Sequence, residues 1–125
     1  MVKRMTIALL LLLAVPTSAD AQPAAPTAEI KAAKGVDKRE PVDEGTTFAV
    51  GDTVYAWTRV VGADGTKVTH VWKRDGKEVW KAYLRVGSKR WTTNSRRKMT
   101  KAGAWTVDVL AADGTSLGSV SFTVQ

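Results

Sequence analysis

The chain of 125 residues contains no cysteine and a single histidine, His70. It can therefore form no disulfide, carry no lipid on a cysteine and use no thiolate as nucleophile or metal ligand. A zinc site would have to recruit carboxylates, and no His, Cys, Asp or Glu cluster at ligand spacing accompanies His70. We therefore expect no metal and no cofactor, and we interpret His70 as a residue of the core or its rim.

Signatures of catalysis are missing as well. The sequence has no Gly-x-Ser-x-Gly, no phosphate-binding glycine loop and no carboxylate pair placed for acid and base chemistry, since most acids stand near turns. We therefore predict that the protein is not an enzyme. The alternative is a hydrolase with an unrecognised site, because residues far apart in the sequence can meet in a fold.

Long apolar runs are also lacking. The longest, Ile7 to Val15, follows Lys3 and Arg4 and precedes a small-residue site at residues 19–21, an order typical of a cleavable secretory signal. Its nine residues are too few for a helix that spans a membrane, which needs about 20. We predict a signal peptide at 1–21, a flexible Pro- and Ala-rich lead at 22–27 and one domain at 28–125. The product would be periplasmic or secreted, with no membrane span after cleavage.

Acidic residues are scarce in the middle of the chain. The formal net charge is +7, and it falls to +6 when the predicted signal is removed. Between Lys67 and Lys101, twelve Lys or Arg face only Asp75 and Glu78. The remainder of the mature chain is therefore net acidic, and the basic character belongs to the middle of the predicted domain.

From Phe48 onward, alternation of apolar and polar residues predicts strands. Runs such as TVYAWTRVV, VTHVWKR and EVWKAYLRV are separated by turn signals such as ADGT and DG. This spacing predicts an all-β fold, a small antiparallel β-sandwich of immunoglobulin-like type with about seven strands. Residues 105–109 and 120–124 are predicted to form an antiparallel hairpin. Residues 28–45 permit either a helix, by their Ala, Lys and Glu content, or a weak edge strand.

The stretch HVWKRDGKEVWKAYLRVGSKRW, residues 70–91, has two possible registers. A two-residue turn at Asp75-Gly76 would place residue 71 opposite Trp80, whereas a three-residue loop with a glycine bulge would place His70 there. The second register buries Trp72 together with Trp80, and burial of one Trp is worth about 4 to 6 kcal/mol as an upper bound. We therefore predict the bulged register, with even-numbered side chains inside.

This register leaves basic residues and one tyrosine on the outer side of the hairpin. We call these residues the predicted basic face and treat them as a candidate binding site; they are Lys73, Lys77, Lys81, Tyr83 and Arg85. The alternative is a solvated sheet face that keeps the protein soluble by charge. A further cluster flanks a predicted loop and would extend the face; it comprises Lys89, Arg90, Arg96, Arg97, Lys98 and Lys101.

Several short motifs, in their order and spacing, resemble the bacterial domain of unknown function 2914. The motifs are Lys38-Arg39-Glu40-Pro41-Val42, Val54-Tyr55-Ala56-Trp57-Thr58, His70-Val71-Trp72, Arg90-Trp91-Thr92 with Ser95 and Lys98, Gly103-Ala104-Trp105-Thr106-Val107, Gly114 and Phe122-Thr123-Val124. The resemblance spans about residues 28–125 and implies an exported bacterial domain, often the last module of its chain. It favours a first strand at residues 28–37, and it brings no known activity, cofactor or catalytic residue.

Together these features predict an exported, non-catalytic interaction module of the bacterial envelope. Its partner would be an unknown envelope protein or an anionic polymer that docks on the predicted basic face. Binding of nucleic acid or another polyanion is the alternative, which the sequence pI of about 9.9 and the interleaved aromatic residues favour. Export argues against nucleic acid as the partner.

Overall fold

A computed structural model describes residues 25–125, so the predicted signal peptide and the first residues of the predicted lead lie outside the described part. The described residues form nine strands, namely β1 (Thr27–Asp37), β2 (Glu40–Glu44), β3 (Thr47–Phe48), β4 (Thr53–Val61), β5 (Lys67–Arg74), β6 (Lys77–Arg85), β7 (Arg90–Lys98), β8 (Gly103–Leu110) and β9 (Ser116–Val124). Within residues 25–125 there is no helix long and apolar enough to cross a membrane.

The strands pair into two sheets, one of four strands in the order β2-β1-β4-β7 and one of five in the order β3-β9-β8-β5-β6. All pairs are antiparallel except β3 with β9. The predicted all-β sandwich is confirmed, with nine strands rather than about seven. The two additional strands are β2 and β3, which lie where the sequence showed no clear alternation.

The helix alternative for residues 28–45 is wrong. β1 begins at Thr27, inside the predicted lead, and pairs with both β2 and β4. A two-residue turn at Lys38 and Arg39, with φ of 49° and 66°, connects β1 to β2. Both residues thus have the left-handed conformation that a tight hairpin turn requires, and pairing with β4 and β2 holds β1 extended.

The core lies between the sheets and is dominated by the carboxyl-terminal hairpin and β5. β8 and β9 pair antiparallel with Trp105 opposite Phe122, which confirms the predicted hairpin. Their rings stack with centroids 6.3 Å apart, and Phe48 contacts Phe122 edge-on at 5.4 Å. Trp72 is fully buried beside them. Aromatic burial of this kind supplies much of the free energy that holds such a small fold.

From Trp80 onward the β5–β6 hairpin has the predicted parity, but its register differs from the predicted one. Trp72 lies directly opposite Trp80, and His70 is opposite Ala82 rather than Trp80. The turn consists of Asp75 and Gly76 alone, with φ of 51° and 80°, as in the two-residue turns that Asp-Gly favours. The extra residue is Val79, within β6, because Lys73 pairs with Glu78 while Trp72 pairs with Trp80. The predicted bulge therefore exists, but it lies in the strand and not in the turn.

Two parts of β6 lie on a different side, or at a different depth, from the one predicted. The bulge reverses the alternation before Val79, so Lys77 lies opposite Arg74, on the inner side of the sheet, and Glu78 takes the outer side. Trp80 has the inward parity, yet 38% of it is exposed, because β6 is an edge strand with a neighbour on one flank only. Its predicted place in the core is therefore wrong.

Candidate binding site at the basic edge

The predicted basic face carries two carboxylates that partly neutralise it. Lys73 Nζ lies 2.8 Å from Asp108 Oδ2 on the neighbouring strand β8, and this hydrogen bond and charge raise the pKa of Lys73. Lys81 Nζ lies 3.2 Å from Glu78 Oε1. Lys77 lies on the other side of the sheet. Of the five predicted residues, Tyr83 and Arg85 therefore remain on the outer side without a carboxylate partner in the described part of the chain, and Tyr83 is 68% exposed.

The more basic surface lies on β7. Arg90, Arg96 and Lys98 were predicted to flank a loop, but the structure places them on a continuous strand. In the register with β4, Arg96 lies opposite Tyr55 and Lys98 opposite Thr53, so these side chains point to the outer side of the four-stranded sheet. The intervening residues point inward; they are Trp91, Thr93, Ser95 and Arg97.

β6 and β7 are edge strands, one in each sheet, and lie along the same open side of the sandwich. The segment 79–101, which contains most of β6 and all of β7, holds eight Lys or Arg and no Asp or Glu. We call the charged and aromatic residues of this side the basic edge; they are Trp80, Lys81, Tyr83, Arg85, Arg90, Trp91, Arg96, Arg97 and Lys98. It unites part of the predicted basic face with the cluster on β7.

A shallow groove of about 650 Å³ separates the two strands. Its lining comes from Trp80, Lys81, Ala82, Tyr83 and Leu84 on β6 and from Asn94, Ser95 and Arg96 on β7. Aromatic rings position two of the guanidinium groups beside it. Arg97 lies 5.9 Å from the ring centre of Trp80, and Arg96 lies 5.8 Å from that of Tyr55. Such contacts hold the cations in place without neutralising them.

A buried polar network begins at Ser95, which lines this groove. His70 Nδ1 lies 2.6 Å from Ser95 Oγ, and His70 Nε2 lies 2.8 Å from Thr58 Oγ1. Trp72 Nε1 donates to Ser95 Oγ at 3.0 Å. If Ser95 in turn donates to Nδ1 and Nε2–H donates to Thr58, each hydrogen of the indole, the serine and the imidazole is used once. The network joins the two sheets, because Thr58 and Ser95 belong to one and His70 and Trp72 to the other.

The imidazole of His70 is held in its neutral form. The residue is fully buried, as predicted for a core histidine, and this burial lowers its pKa to about 4. Ser95 and His70 have the separation of a nucleophile and its base, but an imidazole with this pKa is a weak base at neutral pH. Local alternation could not reveal the network, since its partners are 12 and 25 residues away from His70.

Metal ligands are not grouped in the described part of the chain. Among residues 25–125, no cluster of three or more His, Cys, Asp or Glu side chains is placed to hold a metal ion. The basic edge itself presents positive charge, aromatic rings and the backbone of two edge strands.

Comparisons with solved structures show similar folds at low sequence identity. An alkylpurine DNA glycosylase, AlkC from Pseudomonas fluorescens, solved with DNA containing an abasic site analogue, superposes with a TM-score of 0.52 at 12% identity. The match covers 80% of this chain and 30% of the glycosylase. A mutant β-glucosidase from Listeria innocua, in complex with laminaribiose, gives a TM-score of 0.47 at 12% identity over 80% of this chain and 16% of that one. The likeness to the glycosylase concerns the fold alone.

Sequence comparison gives a family without an assigned activity. No curated protein matches the chain. The model of a family described as protein of unknown function, DUF2914, matches residues 65–124, from the turn before β5 to the end of β9. This match supports the resemblance to that family over residues 65–124, whereas the motifs at residues 38–42 and 54–58 lie outside it.

Proposed function

We propose that this protein is an exported, non-catalytic module of the bacterial envelope that binds an acidic protein or anionic polymer through the basic edge. One observation carries the proposal. β6 and β7, one edge strand from each sheet, lie on the same side of the sandwich, and the segment 79–101 that contains most of their length has eight cations and no acid. A surface of one charge sign attracts partners of the opposite sign and increases their rate of association.

Five of the six cations of this edge are available for a partner, the exception being Lys81, which pairs with Glu78. Among residues 25–125, no carboxylate lies within salt-bridge distance of Arg85, Arg90, Arg96, Arg97 or Lys98. Exposed rings of Trp80, Tyr83 and Trp91 lie among them. Arginine and large aromatic residues are enriched in protein interfaces, where they bury area and donate hydrogen bonds together.

The proposal gives the Ser95–His70 pair a structural role. Trp72 already donates to the serine oxygen, and the lowered pKa of His70 leaves it a poor acceptor for the serine proton near neutral pH. Export to the envelope is supported by the apolar run after Lys3 and Arg4. A compartment outside the cytoplasm offers acidic proteins and anionic polymers in place of nucleic acid.

A charge-reversal experiment tests the basic edge. The double variant Arg96→Glu with Lys98→Glu should bind long-chain polyphosphate at least about tenfold more weakly than the wild type, because two attractive charges become repulsive. Wild-type affinity should also fall steeply between about 50 and 200 mM salt, and the variant should show a shallower salt dependence. Fluorescence anisotropy with labelled polyphosphate measures both quantities.

The matched control is Lys34→Glu with Lys38→Glu, which changes the net charge equally. Lys34 lies on β1, 3.9 Å from Asp52, and Lys38 lies in the turn after β1; neither residue belongs to the basic edge. This control should keep its affinity within about twofold, after allowance for long-range attraction. An equal loss of polyphosphate affinity in both double variants would mean that net charge alone determines binding, and it would contradict the proposed site. Poly-glutamate and single-stranded DNA, measured in parallel, separate an acidic protein partner from nucleic acid.

A further inference from the structure

The free flank of β7 has a regular set of unpaired backbone groups. Just before the strand, the C=O of Lys89 accepts from Gly62 N–H at 2.8 Å, and just after it, Met99 N–H donates to the C=O of Asp52 at 2.8 Å. Because bonded and non-bonded pairs alternate in an antiparallel ladder, the odd-numbered residues of β7 bond to β4. The even-numbered residues therefore direct N–H and C=O away from β4. Among residues 25–125, nothing pairs with the backbone of Thr92, Asn94, Arg96 or Lys98 there.

Other edges of the described sandwich are interrupted, whereas β7 is not. β6 carries the bulge at Val79, β3 has two residues, and β2 contains Pro41 and the left-handed Asp43, with φ of 55°. These features block the addition of another strand. β7 keeps one register with β4 over nine residues, about 30 Å at about 3.4 Å per residue, and contains no proline. The positive charges of its side chains are the only feature of β7 that opposes the addition of another strand.

Alternation along β7 specifies the side chains that an added strand would need. Positions beside Arg90, Arg96 and Lys98 lie on the outer side of the sheet, where carboxylates would meet cations. Positions beside Trp91 and the groove lie on the inner side, where apolar side chains would be covered. The pattern that fits β7 is therefore an extended segment with acidic and apolar residues in alternation.

A second copy of this chain does not supply such a segment. Its acidic edge, β2, is interrupted by Pro41 and Asp43. The carboxylates of that strand are also engaged, because Glu40 lies 2.7 Å from Arg59 and Glu44 lies 3.1 Å from Lys31. Among residues 25–125, a second copy therefore offers no free acidic edge strand to β7.

We propose that β7 binds an extended acidic segment of a partner protein as an additional antiparallel strand. This inference rests on the proposed function and narrows its partner from any anionic polymer to a peptide with alternating acidic and apolar residues. Backbone hydrogen bonds to the even-numbered residues of β7 provide register, and the paired charges provide selectivity.

N-methylated peptides test the backbone contacts separately from the charges. The parent probe is a capped peptide of alternating glutamate and valine, matched to the nine residues of β7. In the proposed register the glutamate N–H groups face β7 and the valine N–H groups point away. N-methylation of the central glutamates should weaken binding at least about tenfold, whereas N-methylation of the central valines should change it less than about threefold. Both peptides carry the same charge.

Amide hydrogen exchange on the protein provides the second measurement. The parent peptide should slow exchange at Thr92, Asn94 and Arg96 at least about tenfold, because these N–H groups become hydrogen-bonded. The variant Asn94→Pro removes one of them at the free edge and should weaken peptide binding about tenfold while polyphosphate binding persists. A thermal melt confirms that this variant is folded.

The possible outcomes separate the two proposals. Equal affinity of the two methylated peptides, or no peptide binding while polyphosphate still binds with its salt dependence, would overturn strand addition and leave the basic edge standing. Failure of every anionic probe would overturn both. Exchange at the same amides could also be slow without peptide and become slower as the protein concentration rises. That result would mean that a second copy of the chain pairs with β7, and it would contradict the proposed partner.

Discussion

Replacement of Trp105 by alanine is expected to lower the free energy of unfolding by about 3 to 5 kcal/mol. Only 4% of Trp105 is exposed, its ring stacks on Phe122 with the planes 8° apart, and its Nε1 donates to the C=O of Lys101 at 3.3 Å. Truncation removes this apolar burial and leaves a cavity between β8, β9 and the opposite sheet. Urea denaturation, followed by tryptophan fluorescence and circular dichroism, measures the change.

Tyr83→Ala is the matched control, because it also truncates an aromatic residue on a strand. Tyr83 points to solvent and is 68% exposed, so its loss should cost no more than about 0.5 to 1 kcal/mol. Comparable effects of the two substitutions would mean that the inner and outer sides of the five-stranded sheet are misassigned.

For the carboxyl-terminal hairpin, the sequence was sufficient to predict which side chains of a strand share a face. Trp105 and Phe122 follow the period-2 pattern of their strands, and their side chains lie inside as predicted. The pattern could not place Trp80, because its exposure depends on whether β6 has one neighbour or two. Strand order within a sheet depends on contacts between distant segments, and one strand's alternation contains no information about them.

The candidate site illustrates the same limit. The excess of basic residues between Lys67 and Lys101 was visible in the sequence, but the ion pair of Lys73 with Asp108 requires β5 and β8 to be neighbours. The displacement of Lys77 results from a bulge whose position depends on the preference of Asp75-Gly76 for a two-residue turn. The meeting of β6 and β7 at one open side follows only from the topology of both sheets.

The protein is also expected to lose stability in mild acid because of His70. The folded pKa of His70 is about 4, whereas its ordinary value is 6.5. Between these values the unfolded chain binds a proton that the folded chain excludes, so the contribution is fully present above pH 6.5 and is lost as the pH falls toward 4. At about 1.4 kcal/mol per pKa unit, the loss attributable to His70 is about 3 kcal/mol.

The physical reason lies in the network between the sheets. A protonated imidazole would present a second N–H donor to Ser95, whose oxygen already accepts from Trp72 Nε1, and would place a charge in the core. The measurement compares urea denaturation at pH 7 and near pH 4 for the wild type and for His70→Phe, in which no imidazole titrates. Carboxylates titrate in both proteins, so the difference between their pH dependences isolates His70.

The pH dependence of His70→Phe should be smaller than that of the wild type by about 3 kcal/mol over this interval, whatever the absolute stability of the variant. Proton NMR gives an independent value, since the ring protons of His70 should titrate near pH 4 in the folded protein and near 6.5 in urea. A folded-state midpoint at the ordinary value would mean that the imidazole is accessible to solvent. Burial between the sheets, where Ser95 and Thr58 contact the two ring nitrogens, would then not keep the imidazole neutral, and the four-residue network beside the groove would be open to solvent.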